Sequence, residues 1–295
     1  MEIHKINDIS GYLSYIEKLN YAPKTSYTVS SRTMFRGQSN ADWALSPGLY
    51  RKGLFSSENL LLTELMHLCP DEFVQNRFDS LVKMQHFGLP TRLLDTTTNP
   101  LVALYFACKS ESQKQHDGAV FILDTSPVFW STDPMVDLIM DFVYDYYPYN
   151  LCLDQYLERS IIKYSSALHR LMPSNTDSLL SYLTIPFFAV TPAKANMRVE
   201  AQDGAFLLFG MKLRNKKVST NEGTRGRVYY NFDPEEIKPE DSLLNRCKKI
   251  IIPSNRKASI LDSLDLLGIN ERKLFPDLSH QINYLVEDVT HHKLQ

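Results

Sequence analysis

Cysteine is scarce in this sequence, and no long apolar run occurs. The four cysteines, Cys69, Cys108, Cys152 and Cys247, never stand two to four residues apart. That spacing argues against a zinc knuckle and against a disulfide framework. Cys69 and Cys108 sit among apolar neighbours and read as buried thiols. No stretch reaches about 18 apolar residues, so no transmembrane helix is expected. The first twenty residues hold Glu2, Lys5, Asp8 and Glu17 without an apolar core, so no secretory signal is expected either. These absences predict a cytoplasmic protein with no membrane partner. An excess of one charge is missing too: 32 basic residues face 34 acidic ones, for a net charge of −2. No global field therefore draws the chain to nucleic acid. Internal repeats, a serine-hydrolase elbow, a Walker loop, an HExxH helix and a paired CxxC are all lacking, and no metal is expected.

What is present is an ordinary globular balance, 43% apolar and 22% charged over 295 residues. That composition predicts a folded chain, in one large domain or two small ones. Residues 8–20 read as an amphipathic helix with Ile9, Leu13, Ile16 and Leu19 on one face. Residues 33–38 read as a strand carrying Phe35, Arg36 and Gly37. Residues 57–69 and 71–87 read as helices, the second closed by Gly88 and Pro90. After a loop over 88–99, Asn99-Pro100 caps a buried helix over 101–109. Residues 118–124 read as a central strand, and 185–190, 204–210, 226–232 and 248–253 as further strands. Ser254–Leu267 reads as a helix ended by Gly268.

Residues 127–184 read as a helical, acidic insertion without strands. There Asp133, Asp137, Asp141 and Asp145 recur at i, i+4, which predicts a solvated face or a docking face for a basic partner or a second copy. Four carboxylates on successive turns span about 18 Å, too far to share one magnesium ion. Residues 211–228 read as a basic loop, with Lys212, Arg214, Lys216, Lys217, Arg225 and Arg227 against Glu222. Strands and helices alternate without regular βαβ order. The expected fold is therefore α+β, a mixed sheet core flanked by helices, in one domain over 1–295. Its parts are a lead-in over 1–30, core motifs over 33–110 and 185–280, and the insertion between them.

The chemistry concentrates in three places. An arginine on an interior strand needs an anion or several acceptors. Arg36, followed by Gly37 and Gln38, therefore either pairs with a carboxylate such as Asp95 or forks a phosphate or carboxylate ligand. Gly37 would let a ligand or another backbone come close. The segment from Gln85 to Asp95 groups Gln85, His86, Thr91, Arg92 and Asp95 at a helix end and in the loop before another helix. Thr96, Thr97 and Thr98 supply hydroxyls beside that helix's N-terminus. Third, a strand beginning near Arg198 would place Arg198, Glu200 and Gln202 on one face.

These phrases resemble a known family. Phe35-Arg36-Gly37-Gln38, Leu45-x-Pro47-x-Leu49-x-Arg51, the block from Gln85 to Asp95 and Pro100-Leu101-x-Ala103-Leu104-x-Phe106-Ala107 are similar to the FRG domain. Arg198-x-x-x-Gln202-x-Gly204-x-Phe206 and Leu274-Phe275-Pro276-Asp277-Leu278 extend the likeness to about residue 278. The resemblance implies a bacterial or phage-related setting and leaves the activity open. The order of Arg36, the threonines and Glu200-Ala201-Gln202 also resembles ADP-ribosyltransferases. That resemblance implies an NAD-using transferase or NAD glycohydrolase, a toxin or phage-defence effector, acting on a protein or nucleic-acid acceptor. Arg36 and Arg92 would bind pyrophosphate. Thr96 or Thr97 would hold the ribose, and Glu200, with Gln202, would face the reaction centre. The alternative is a non-catalytic nucleotide or protein sensor built on the same cradle.

Overall fold

The computed structural model describes residues 2–19, 32–73, 76–125, 128–145, 150–152, 155–156, 158–159, 176–192, 197–218, 228–234 and 247–293. Its strands are β1 (Glu2–Lys5), β2 (Arg32–Gln38), β3 (Leu93–Thr97), β4 (Gly118–Thr125), β5 (Val128–Trp130), β6 (Asn150–Cys152), β7 (Phe187–Thr191), β8 (Gly204–Phe209), β9 (Met211–Val218), β10 (Val228–Pro234) and β11 (Cys247–Ile252). The helices are α1 (Ile9–Lys18), α2 (Gly48–Arg51), α3 (Glu58–Leu68), α4 (Arg77–His86), α5 (Pro100–Cys108), α6 (Pro134–Asp145), α7 (Thr176–Leu183), α8 (Met197–Ala201), α9 (Lys257–Leu266), α10 (Glu271–Leu274) and α11 (Leu278–Lys293). The fold is α+β. Eight strands form a mixed sheet in the order β1-β11-β4-β2-β3-β8-β7-β5, and β6-β10-β9 form a second sheet.

The central joint of the large sheet is narrow. β2 runs alongside β4 for seven residue pairs, from Arg32 opposite Thr125 to Gln38 opposite Ala119. It meets β3 at one pair only, Phe35 opposite Thr97. β3 then pairs along its length with β8. The sheet thus opens between β2 and β3.

The apolar core repeats this division. On one face, α5, α1 and α9 bury Phe35, Val120, Ile122 and Ile250. Beside them on the same face, α3, α4 and α6 bury Leu93, Phe206, Leu208 and Val190. Met34, Leu94, Phe121 and Leu207 pack on the opposite face. The seam between the two helix layers runs over the opening between β2 and β3.

Two glycines let α5 sink onto the sheet. A Cβ on Gly37 would stand 1.9 Å from the Ala103 carbonyl oxygen, and one on Gly118 would stand 2.2 Å from that of Ala107. Gly37 therefore admits another backbone, that of α5. The Asn99 side chain caps α5 by accepting from the Leu101 N–H at 3.0 Å, and Pro100 fills the first helical position.

Several expectations need correction. Residues 93–97 are a strand, not loop: threonines and a carboxylate hide a strand whose partner lies over a hundred residues away. α4 begins at Arg77 behind the Asn76 cap, and Pro70–Glu72 is a separate 3-10 turn. The segment 127–184 contains β5 and β6 as well as helices, while 160–175 lies outside the described residues. The acidic face is not simply solvated, because Arg77 grips Asp141 at 2.9 Å and Asp145 at 2.8 Å. The basic run over 211–218 is strand β9, where Arg214 Nε donates to Asp233 at 2.7 Å; Glu222, Arg225 and Arg227 fall outside the described residues. Residues 198–201 lie in helix α8, and the strand starts only at Gly204. Cys69 is exposed, whereas Cys108 is buried as expected. Among the described residues no helix is long and apolar enough to cross a membrane.

Candidate functional site

A cavity of about 330 Å³ opens where β2 and β3 part. The sheet supplies Arg36, Asp95 and Thr97, the end of α4 supplies Gln85 and His86, and α8 supplies Arg198, with Gln202 just beyond it. Val82, Val102, Phe106, Phe206 and Phe275 give it apolar walls. Its size falls within the range of small-molecule sites, and apolar walls with a few converging polar groups are what such sites share.

Arg36 bridges the opening. Its Nη1 donates to the Asp95 main-chain carbonyl at 2.6 Å, while the Asp95 carboxylate stays 4.0 Å from the guanidinium. The Arg36 side chain is only 15% exposed, and its buried Nε has no hydrogen-bond partner among the described residues. Burial lowers the proton affinity of this guanidinium, Asp95 raises it and Arg51 lowers it further. The group stays cationic, but its surroundings satisfy it poorly.

Asp95 is oriented from the other side. Gln85 Nε2 donates to Asp95 Oδ1 at 2.7 Å, and Gln85 Oε1 accepts from the Thr91 hydroxyl. Thr91 Oγ1 in turn accepts from the Leu93 N–H at 3.1 Å. Gln85 therefore ties the end of α4 to the start of β3, and the Asp95 carboxylate remains 68% exposed at the cavity.

The opposite wall comes from later in the chain. Arg198 Nη2 donates to Asp277 Oδ2 at 3.2 Å and lies 3.2 Å from His280 Nδ1. Its guanidinium carbon sits 4.7 Å from the centre of the Phe275 ring, against which His280 stacks at 4.8 Å. Burial alone would raise the Asp277 carboxyl. Hydrogen bonds from His280 and Ser279, with Arg198 beside it, outweigh burial and hold that carboxyl well below the usual carboxylate range. His86 is pushed down by burial, by Arg198 and by His280, with Asp277 opposing. Thr97 Oγ1 donates to the Gln202 carbonyl at 2.7 Å, and Gln202 Nε2 donates to the Leu274 carbonyl at 3.0 Å. The turn between them holds Asp203 at φ 47°, in the left-handed region.

The fold brings Arg36, Gln85, His86, Asp95, Thr96, Thr97, Arg198 and Gln202 to this one cavity. It does not bring the others. Arg92 is wholly buried, with Nε donating to Glu58 at 2.7 Å and Nη1 to the Phe209 carbonyl at 3.1 Å. Its charge is neutralised inside the core, as buried charges require. Gln38 donates to the Ala44 carbonyl at 3.2 Å, away from the lining. Thr91 acts behind Gln85. Thr96 borders the cavity, but its hydroxyl points away from it, to the Met34 sulfur at 3.5 Å. Glu200 is exposed on α8 and does not line the cavity. Sequence reasoning passed over Phe106, Phe275, Asp277 and His280 as site residues, although the Leu274–Leu278 phrase marked their neighbourhood. No group of three or more His, Cys, Asp or Glu among the described residues is placed to hold a metal ion.

Fold and cavity together define an α+β protein with a cavity of mixed polar and apolar lining at a split in its sheet. Within it, residues 31–116 match the family model of the FRG domain. The match supplies Arg36, Gln85, His86, Asp95, Thr97 and Phe106, and it ends before Arg198, Gln202 and Phe275. No curated protein and no solved structure matches the chain.

Proposed function

We propose that this cavity binds a small phosphorylated ligand of the nucleotide class, with Arg36 as the primary anion contact. The observation that carries the reading is the Arg36 guanidinium: mostly buried, bordering the cavity, bonded to a neutral carbonyl, and with its own carboxylate neighbour held 4.0 Å off. A guanidinium in that state gains from a bidentate anion. The lining sets two arginines against one carboxylate, Asp95, so the wall favours negative charge.

NAD consumption is the more specific form of this reading. It needs a carboxylate facing the ribose as nicotinamide leaves. Because Glu200 stands outside the cavity, Asp95 is the lining carboxylate that such a reaction would have to use. A ligand sensor needs no carboxylate there. Calorimetry with NAD, ADP and AMP on the wild type and Arg36→Ala, with nicotinamide release followed in the same tubes, tests both. Saturable binding lost in Arg36→Ala is the expected result. Nicotinamide release would assign the transferase or glycohydrolase class, and binding without release would assign a sensor. No binding at millimolar ligand by a folded protein would overturn the nucleotide reading.

A further inference from the structure

We propose that Arg36 and Arg198 form a two-point clamp for a diphosphate, so that the cavity selects ligands with two linked phosphoryl groups over ligands with one. This rests on the phosphorylated-ligand reading above and names the chemistry that would be selected.

Both arginines border the same cavity of about 330 Å³. They are held there by unrelated supports. Arg36 is anchored on β2 and tied to β3 through the Asp95 carbonyl at 2.6 Å. Arg198 is anchored on α8 and held by Asp277, by His280 and by the face of Phe275. The fold holds each guanidinium at the cavity with its own brace, and a dianion between them would be attracted by both. One phosphoryl group suits one planar fork, whereas a diphosphate offers an oxygen set to each. His86 senses the same field: part of what depresses its proton affinity comes from Arg198 and His280.

Asp277 and His280 are thereby positioning residues. Asp277 accepts from Arg198 at 3.2 Å, and its other oxygen meets His280 Nδ1 at 2.6 Å, so the pair fixes where the guanidinium sits. They lie outside the segment that matches the FRG domain. The matched block would thus supply the first phosphate contact and the C-terminal third the second.

Titrating the full chain with phosphate, pyrophosphate, AMP and ADP by calorimetry tests the clamp. Pyrophosphate is expected to bind about tenfold or more tighter than phosphate, the usual worth of an added charge-assisted contact. A matching preference for ADP over AMP would identify a nucleoside diphosphate, and its absence a free diphosphate. Arg198→Ala should bring phosphate and pyrophosphate within about threefold, by weakening pyrophosphate much more than phosphate. Arg198→Lys, which keeps the charge and loses the fork, should restore only part of the preference. Asp277→Asn should weaken pyrophosphate and spare phosphate. If the wild type binds phosphate and pyrophosphate equally, and Arg36→Ala loses both, the clamp is wrong and the anion site stands. If a folded wild type binds none of the four, both readings fall. A pyrophosphate preference that survives Arg198→Ala would also overturn the clamp.

Discussion

Arg36 reaches across a gap in its own sheet to the main chain of Asp95, at 2.6 Å, while the Asp95 side chain turns to Gln85 at 2.7 Å. The carboxylate that could have neutralised the arginine is thereby held aside. Gln85→Ala should release Asp95 toward Arg36 and weaken binding of phosphorylated ligands severalfold, with the fold retained. Calorimetry on that variant checks it, and unchanged affinity would show that Gln85 does not keep the two apart.

Gly37→Ala should destabilise the protein by overpacking, by about 1–3 kcal/mol or more. The new Cβ would meet the Ala103 carbonyl oxygen at 1.9 Å and the Ala107 nitrogen at 2.8 Å, both backbone atoms that can yield only if α5 lifts from β2. Urea unfolding measures the loss, and an unchanged midpoint would mean that α5 rides higher on the sheet.

Arg92→Met should cost about 3–5 kcal/mol, because it removes one member of a buried ion pair and leaves the enclosed Glu58 without Arg92. Adding Glu58→Leu should recover much of that loss, since an apolar pair of similar volume replaces a buried ion pair at little cost. Equilibrium unfolding of the two single variants and the double variant forms the cycle. Additive losses would show that the two side chains act independently.

His86 titrates below the ordinary imidazole value because burial and its cationic neighbours disfavour the charged form. The unfolded chain therefore takes up this proton first as pH falls. The stability contribution is fully present above about pH 6.5 and declines as pH drops below it toward the lowered folded value. His86→Asn should flatten that part of the stability profile. An anion bound beside His86 acts in the opposite sense and favours proton uptake. Calorimetry near pH 6 in buffers of different ionisation enthalpy should detect that uptake in the wild type and lose it in the variant.

Asp141→Ala should destabilise more than Asp145→Ala, although both carboxylates meet Arg77. The Asp141 side chain is 11% exposed and that of Asp145 48%. Expected costs are about 1–3 kcal/mol for the first and below about 1 kcal/mol for the second. Thermal unfolding of the two variants side by side decides the order.

Local signals carried much of the fold. Asn99-Pro100 marked the start of α5, Gly88 and Gly268 fall at φ 96° and 75° where α4 and α9 end, and the apolar runs located β4 and β11. What stayed hidden depends on distant partners. β3 is a strand because β8 lies alongside it, and Leu-Leu-Asp-Thr-Thr shows no alternation that would announce this. α8 has five residues, too few to display a helical period, so Arg198 and Glu200 looked like neighbours on one strand face. On a helix they diverge: Arg198 turns to the cavity and Glu200 to solvent. Arg36 and Arg92 carry equal charge in equally rich motifs. Burial alone distinguishes them, since Glu58 claims Arg92 in the core.

The single residue pair that joins β2 to β3 bears on portability. The segment 31–116 holds both strands but stops short of β4 at Gly118 and of β8 at Gly204. Excised as a cassette, it would present two naked strand edges hinged at one point, a template for aggregation rather than a graftable pocket. The block needs flanking strands such as β4 and β8, so the unit that can fold is larger than the stretch that matches the family model.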